Sequence, residues 1–210
     1  MKRFALSMGI ALLFAAAVSA QEYHHMTFDF GTGFTTPVNV SADHLDTGWN
    51  IQGGVGANFN PWIGAKVQVG YDSMGINRRT LFNIGFPGGN VHVFSATLDP
   101  IIHFNPHSPV GFYAIGGTGL YRRTQEFTAP TITTVTGFDP FFGLFYPVGI
   151  PTNQVLASYT VNKIGINAGG GFEFGPRRRG KIFAEARWTR IFLTSNIHTD
   201  YVPVTFGFRW

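Results

Sequence analysis

Cysteine is absent from this chain of 210 residues, and charged side chains are scarce. The lack of thiols excludes disulfide bonds, thiolate metal sites, cysteine nucleophiles and a lipid anchor on cysteine. Only 12% of the residues are charged, whereas an average soluble domain carries about 25%. The formal net charge is +4, and Lys2 and Arg3 supply two of these charges. The remainder is too weakly basic to indicate binding to nucleic acid, so we expect no such partner.

Long hydrophobic runs are also missing, except at the start of the chain. Lys2 and Arg3 precede an apolar run that ends in the small-residue triplet Val18-Ser19-Ala20. This pattern is typical of a cleavable signal peptide, and the run is shorter than the roughly 20 residues of a spanning helix. We therefore predict a signal peptide over residues 1–20 and one domain over residues 21–210. If that domain crosses a membrane, only a closed β-barrel satisfies its backbone polar groups.

The mature chain is rich in aromatic residues (16%) and contains 27 glycines and 22 phenylalanines. Apolar and polar residues alternate with a period of two, the pattern of strands with one apolar face. One segment places these residues on a single face: Ile63, Ala65, Val67, Val69 and Tyr71. We count eight such segments, each about as long as a tilted transmembrane strand requires.

The connections alternate in length. Short turns rich in Asn, Pro and Gly occupy residues 58–61, 105–109 and 175–180, and longer loops occupy 35–46, 74–90, 124–158 and 194–200. This alternation is typical of bacterial outer-membrane barrels, whose periplasmic turns are short. We predict an all-β fold, a transmembrane up-and-down antiparallel barrel of about eight strands, in the outer membrane with both termini periplasmic. A ten-stranded barrel stays open, because Thr131 to Val135 alternates weakly and would extend a hairpin above the membrane.

Two segments carry a family resemblance. The chain ends Val204-Thr205-Phe206-Gly207-Phe208-Arg209-Trp210, an alternating strand that finishes on an aromatic residue, and the fifth segment is glycine-rich from Phe112 to Tyr121. Both resemble the small OmpA/OmpX-like group of outer-membrane β-barrel proteins. The resemblance implies that Phe206, Phe208 and Trp210 form a signal for the barrel-assembly machinery. It implies fold and location, and hardly any activity.

Polar residues share the face opposite the apolar one and are predicted to line a narrow lumen. They are Asp29, Gln52, Lys66, Gln68, Asp99, Lys163, Glu173, Glu185, Arg187 and Arg209. Counting from the turns, we place Lys66 opposite Asp99, and Glu185 beside Arg209 with Arg187 one layer away. These charges either pair to plug the barrel or line a gated path for ions. Inward glycines such as Gly54 and Gly171 leave room either for long neighbouring side chains or for water.

The third long loop contains a dense aromatic cluster between prolines. Its members are Phe138, Phe141, Phe142, Phe145 and Tyr146. Exposed clusters of this density mark contact sites. Four alternatives remain open: binding of a partner, contact with the lipopolysaccharide surface, folding into the barrel mouth, or a self-packed cap over the strand ends. Arg78-Arg79 and Arg122-Arg123 are expected on the same side, where they would meet lipopolysaccharide phosphates.

Catalytic and metal sites are not evident. His24 and His25 point to opposite faces of a strand, and the other histidines are scattered, so we expect no metal and no cofactor. His107-Ser108 and His198-Thr199-Asp200 match no hydrolase triad, so we expect no enzyme.

Four functions compete. The first is a monomeric barrel in contact with membrane lipids and lipopolysaccharide, with a structural or surface-interaction role through its loops. The second is a narrow channel and the third a lipid-A-modifying enzyme. The fourth, a secreted soluble barrel of the lipocalin type, requires an apolar interior, which the alternation does not favour.

Overall fold

The computed structural model describes residues 26–106, 108–175, 180–194 and 197–210. The predicted signal peptide, His24-His25 and His107 lie outside these residues. The described part contains eight strands and one α-helix. They are β1 (Met26–Pro37), β2 (Gly48–Asn58), β3 (Ile63–Gly75), α1 (Arg78–Ile84), β4 (Gly88–His103), β5 (Val110–Asp139), β6 (Leu144–Phe174), β7 (Lys181–Thr194) and β8 (Ile197–Arg209). A 3-10 helix (Asn39–Asp43) lies between β1 and β2.

The strands form a closed barrel in sequence order, and every neighbouring pair is antiparallel. β1 closes the ring against β8, in a register that runs from Asp29 opposite Arg209 to Pro37 opposite Tyr201. Closure leaves no unpaired edge around the wall, as a barrel in lipid requires. The eight-stranded prediction is confirmed, and the ten-stranded alternative is wrong.

The two faces of the wall follow the alternation of the sequence. Val67, Phe94 and Phe206 point outward and are at least half exposed, whereas Lys66 and Glu185 are almost completely buried inside. The outward residues from Ile63 to Tyr71 cover about 20–25 Å of height at the usual strand tilt, the thickness of an outer-membrane apolar belt. This arrangement contradicts the lipocalin-type alternative, because that barrel keeps its apolar side chains inside.

The barrel has two unlike ends. At one end, the connections that follow β2 and β4 are short. After β2, Asn60 Oδ1 accepts hydrogen bonds from the backbone N–H groups of Trp62 and Ile63 at 2.8 Å. At the opposite end the longer connections contain the 3-10 helix and α1. The sequence pattern did not predict these two helices. We call these the short-turn end and the long-loop end.

Two predicted loops are strands instead. Residues 124–158 belong mostly to β5 and β6, which are 30 and 31 residues long and pair as far as Asp139 opposite Leu144. Residues 197–200 open β8, because Asp200 is held in the sheet by Arg190, whose guanidinium donates to it at 2.7 and 2.8 Å. The possible hairpin extension at Thr131 to Val135 is therefore present.

None of the helices in the described ranges has the length and apolarity needed to cross a membrane.

Candidate functional site

The lumen contains most of the polar residues that the alternation singled out. Nine of the ten are buried, and Lys163 is half-buried toward the long-loop end. No ion pair joins Lys163 to another residue in the described ranges. Four buried carboxylates, on Asp29, Asp99, Glu173 and Glu185, contact the cations of Lys66, Lys181, Arg187 and Arg209. The attraction within such pairs offsets the cost of removing their charges from water, provided that further hydrogen bonds satisfy the remaining polar atoms.

Arg209 organises the network at the short-turn end. Its guanidinium lies 3.1 Å from Glu173 and 3.7–3.8 Å from Asp29 and Glu185. The same group stacks on the rings of Tyr113 and Phe183, with its carbon 4.7 and 5.1 Å from their centroids. The planar guanidinium therefore fixes charged and aromatic groups from four other strands at once.

Arg187 organises the middle of the lumen. It donates to Glu185 at 2.7 Å and to Asp99 at 2.8 Å, and it also hydrogen-bonds Gln68. Asn167 donates to the other oxygen of Asp99 at 2.8 Å. Every carboxylate oxygen of Glu185 and Asp99 thus has a partner, which is the condition for a stable buried network.

The predicted register is correct at one pair and wrong at another. Lys66 lies opposite Asp99 as expected, but its ammonium group pairs with Asp29 of β1 at 3.1 Å, over Gly54 of the intervening strand β2. Glu185 lies opposite Thr205, four residues from Arg209. The error arose because β7 and β8 pair as far as Thr194 opposite Ile197, whereas the prediction counted from a loop over residues 194–200. The long side chain of Arg209 nevertheless reaches Glu185.

The inward glycines make room for side chains at two positions. A Cβ atom on Gly54 would lie 2.9 Å from Lys66 Cδ and 3.1 Å from the Asp29 carboxylate. A Cβ atom on Gly171 would lie 2.6 Å from the hydroxyl oxygen of Tyr113. At these positions the space is filled by protein rather than by water.

A second polar layer surrounds Asp72, which sequence reasoning did not include in the lumen set. Its carboxylate accepts a hydrogen bond from Thr35 at 2.5 Å, and no cation in the described ranges forms an ion pair with it. A cavity of about 30 Å³ lies beside it, lined by residues including Asn167 and Tyr201. That volume accommodates about one or two water molecules. The alternation near the end of β3 was the signal that could have placed Asp72 among the lumen residues.

An apolar plug closes the lumen above this layer, at the long-loop end. Its fully buried members are Met74, Val91, Val93, Ile191 and Tyr201, and side chains from the loops cover them: Leu45, Ile76 and Leu81. The plug was not predicted, because these residues take the inward parity normally occupied by polar groups. The barrel mouth is filled by the first two long loops and not by the aromatic cluster.

The outer rim at the long-loop end has its own polar groups. Tyr71 Oη lies 2.9 Å from Nδ1 of His92, whose Nε2 lies 3.9 Å from Glu126. Trp49 packs on Tyr71, with ring centroids 5.5 Å apart. Tyrosine and tryptophan at this height form the aromatic girdle of a membrane barrel, with their polar atoms toward the headgroups.

The two arginine pairs expected to meet lipopolysaccharide differ in their placement. Arg78 and Arg79 open α1 at the long-loop end. Arg122 is exposed on the outer face, whereas Arg123 lies opposite the buried Val93, on the lumen side. Adjacent strand residues point to opposite faces, so only Arg122 of this pair is on the lipid side.

The predicted assembly residues lie on the outer face. Phe206, Phe208 and Trp210 are each more than half exposed at the end of the chain. Trp210 exchanges backbone hydrogen bonds with Phe28 at 2.7 and 2.9 Å, so the end of the chain is fixed to the first strand.

The aromatic cluster lies at the tip of a projecting hairpin formed by β5 and β6. Phe141 is 92% exposed, Phe142 77% and Phe145 73%. One ring pair packs within the cluster, Phe138 on Phe145 with centroids 5.0 Å apart. The alternatives of a self-packed cap and of folding into the mouth are therefore wrong. We call Phe138, Phe141, Phe142, Leu144, Phe145 and Tyr146 the apolar tip.

The described residues assemble no evident reaction or metal centre. No three potential metal-ligating side chains converge within the described ranges. Asp200 is engaged by Arg190, and His198 lies 3.6 Å from that carboxylate, but no serine hydroxyl among the described residues hydrogen-bonds the His198 ring. Ser108 lies in the short turn, where its hydroxyl accepts a hydrogen bond from Val110 N–H.

A closed barrel with a polar interior and an outer apolar belt is typical of outer-membrane proteins. The model of the outer membrane protein beta-barrel domain matches residues 8–209. The chain belongs to this family. An outer membrane protein beta-barrel domain thus accounts for nearly all of the described part, and its location is the outer membrane.

Solved structures share the fold at low sequence identity. Neisserial surface protein A is 14% identical, with 88% of this chain and 96% of that chain covered and a TM-score of 0.54. A major outer membrane protein from Thermus thermophilus is 10% identical, with 89% and 99% covered and a TM-score of 0.53. A search of the curated proteins found no match. At these identities the likeness is one of fold.

Proposed function

We propose that this outer-membrane barrel acts at the cell surface, with both termini periplasmic and its long-loop end outside. In this role the lumen network and plug stabilise a rigid anchor, and the β5–β6 hairpin makes the contact with an external surface. The observation that carries the proposal is the exposed apolar tip at the end of that hairpin.

The length of the hairpin supports a contact role. β4 pairs with β5 only as far as Thr128, and β7 pairs with β6 only as far as Gly165. Beyond these points the two strands have only each other, and an isolated two-stranded hairpin is marginally stable in water. Segments of this kind on a rigid scaffold are where binding residues concentrate.

The filled lumen argues against the channel alternative. Ion pairs occupy its short-turn half, and the plug closes its long-loop half. The cavity between them is about 30 Å³, which is too small for a continuous water column. The two candidate segments for the enzyme alternative are engaged in other contacts: Ser108 accepts a hydrogen bond from Val110 N–H, and Asp200 is bound by Arg190, so neither supports that alternative.

The proposed orientation is tested by cysteine labelling, which the cysteine-free chain makes simple. Thr134→Cys places a thiol on the exposed stalk of the hairpin, and Ser108→Cys places one in a short turn. In intact cells a membrane-impermeant maleimide should label Thr134→Cys, and Ser108→Cys only after lysis. The opposite pattern would overturn the proposed orientation.

Conductance distinguishes the anchor from a channel. The purified protein in a planar bilayer should show no steps above the baseline over a wide range of voltage and pH. Regular single-channel steps would contradict the anchor proposal and favour the channel.

A further inference from the structure

We propose that the apolar tip inserts into the hydrocarbon of an apposed lipid bilayer, one other than the membrane that holds the barrel. This inference rests on the proposed orientation and names the partner of the hairpin. The tip offers aromatic and leucine side chains with almost no polar side chains to orient a protein partner.

The hairpin carries almost no charge. Between Phe127 and Asn162 the sole charged residue is Asp139. Its carboxylate is already used within the turn, where it accepts hydrogen bonds from the backbone N–H groups of Phe141 and Phe142 at 2.8 and 3.3 Å. An uncharged segment with an apolar tip complements hydrocarbon, where any unpaired charge would be costly.

Prolines disfavour another mode of binding, in which a strand of a partner protein pairs with the edge of the hairpin. Pro130 lies opposite Asn153, Pro151 opposite Ile132 and Pro147 opposite Thr136. The β5 positions of these three pairs, 130, 132 and 136, are separated by even numbers of residues. In an antiparallel ladder, hydrogen-bonded and non-hydrogen-bonded pairs alternate, so all three pairs are of the same kind. Since proline has no N–H, that kind is the non-hydrogen-bonded one, whose N–H groups point away from the partner strand. The prolines thus remove outward donors from both edges, a known protection against strand addition.

The reach of the hairpin favours an apposed membrane over its own. The distance from Arg122, at the rim of the belt, to Asp139 is about 55 Å along β5, at the usual rise per strand residue. With a strand tilt of about 45°, the tip stands about 40 Å beyond the belt. The headgroup layer is far thinner than this, so a straight hairpin holds its tip clear of its own acyl chains.

The test uses the full-length protein in nanodiscs, whose lipids cover the apolar belt of the barrel. These nanodiscs are mixed with vesicles of phosphatidylcholine. The native protein should float with the vesicles. The double variant Phe141→Ser, Phe142→Ser should reduce the bound fraction at limiting lipid more than tenfold, because two highly exposed aromatic side chains are lost from the tip. The matched control Ile132→Ser, Val155→Ser removes two exposed apolar side chains from the stalk and should bind within twofold of native.

Three results would each overturn lipid insertion. They are equal binding by the native protein and the tip variant, a loss of binding in the stalk control as large as in the tip variant, and a native protein that does not float with the vesicles. A Phe142→Trp variant identifies the membrane that is entered. Its additional fluorescence should be quenched by brominated phosphatidylcholine in the vesicles. Quenching only by brominated lipid in the nanodisc would overturn insertion in trans. If Thr134→Cys labels on intact cells while these assays fail, the surface role stands without the lipid partner.

Discussion

The same two strands, β5 and β6, have opposite characters in their two halves. In the barrel wall their inward residues contact groups beyond the neighbouring strand, as Asn167 on β6 does with Asp99 on β4. In the projecting half each strand has one neighbour, and almost all side chains are exposed. Packing and charge pairing therefore fix the wall, whereas the hairpin is free to be shaped by what it contacts.

Local stability should follow this division. Regions with few buried contacts open at low free energy, whereas networks in a core open only with the whole fold. Substitutions in the lumen should lower the free energy of unfolding of the barrel, and substitutions in the hairpin should leave it nearly unchanged.

Arg187→Met should have the largest effect. It leaves Glu185 and Asp99 buried without their guanidinium partner, and breaking a buried pair in this way costs about 3–5 kcal/mol. The free energy of unfolding is measured by urea titration in phospholipid vesicles, with gel mobility of unheated samples as a second readout. Lys163→Met is the control, since this half-buried lysine has no ion pair in the described ranges, and it should cost less than about 1 kcal/mol. Equal losses in the two variants would contradict the charge network as a source of stability.

Met74→Ala should come next. Met74 is fully buried in the apolar plug, and truncating such a side chain costs about 2–4 kcal/mol through lost burial and the cavity that remains. The same urea titration measures it, and planar-bilayer recordings of the variant test whether the plug blocks ions. A stable variant with native conductance would show that the loops above, rather than Met74, close the lumen.

The sequence was sufficient for the wall, because period two and turn chemistry are local signals. The faces of Val67 and Lys66 follow directly from alternation, as does the register of Lys66 against Asp99. The ion-pair partners were not accessible in this way. Lys66 binds Asp29, two strands away, because Gly54 on the intervening strand β2 has no side chain to separate them, and pairing counted between neighbouring strands does not show such a contact.

The plug and the hairpin were harder for a different reason. Leu45 and Leu81 pack over the mouth only because two long loops fold inward, and nothing in the spacing of the strands encodes that path. Residues 124–158 contain prolines and read as a loop. On a two-stranded hairpin, prolines are tolerated where their missing N–H faces outward, and the alternation at Thr131 to Val135 was the weak signal of it.

The two lumen aspartates should differ in their response to the loss of charge. Asp99→Asn removes an acceptor from Arg187 and should cost about 2 kcal/mol, the value of a hydrogen bond to a charged group. Asp72→Asn keeps an oxygen for the Thr35 hydroxyl and removes a buried charge without an ion-pair partner among the described residues, so it should change stability by less than about 1 kcal/mol. Both are compared by urea titration. An equally large loss at Asp72 would contradict this difference and show that its carboxylate also stabilises the barrel.

Excision of the projecting hairpin should have the smallest effect on the barrel. Thr128 and Val155 lie directly opposite each other just below the free-standing part, so an Asn-Gly turn that replaces residues 129–154 joins two paired positions. The excised residues contribute no member to the plug. The free energy of unfolding should therefore stay within about 1 kcal/mol of native, while vesicle flotation is lost. A large destabilisation would show that the hairpin supports the wall. It would contradict the distinction between a lumen that stabilises the barrel and a hairpin that only makes external contacts.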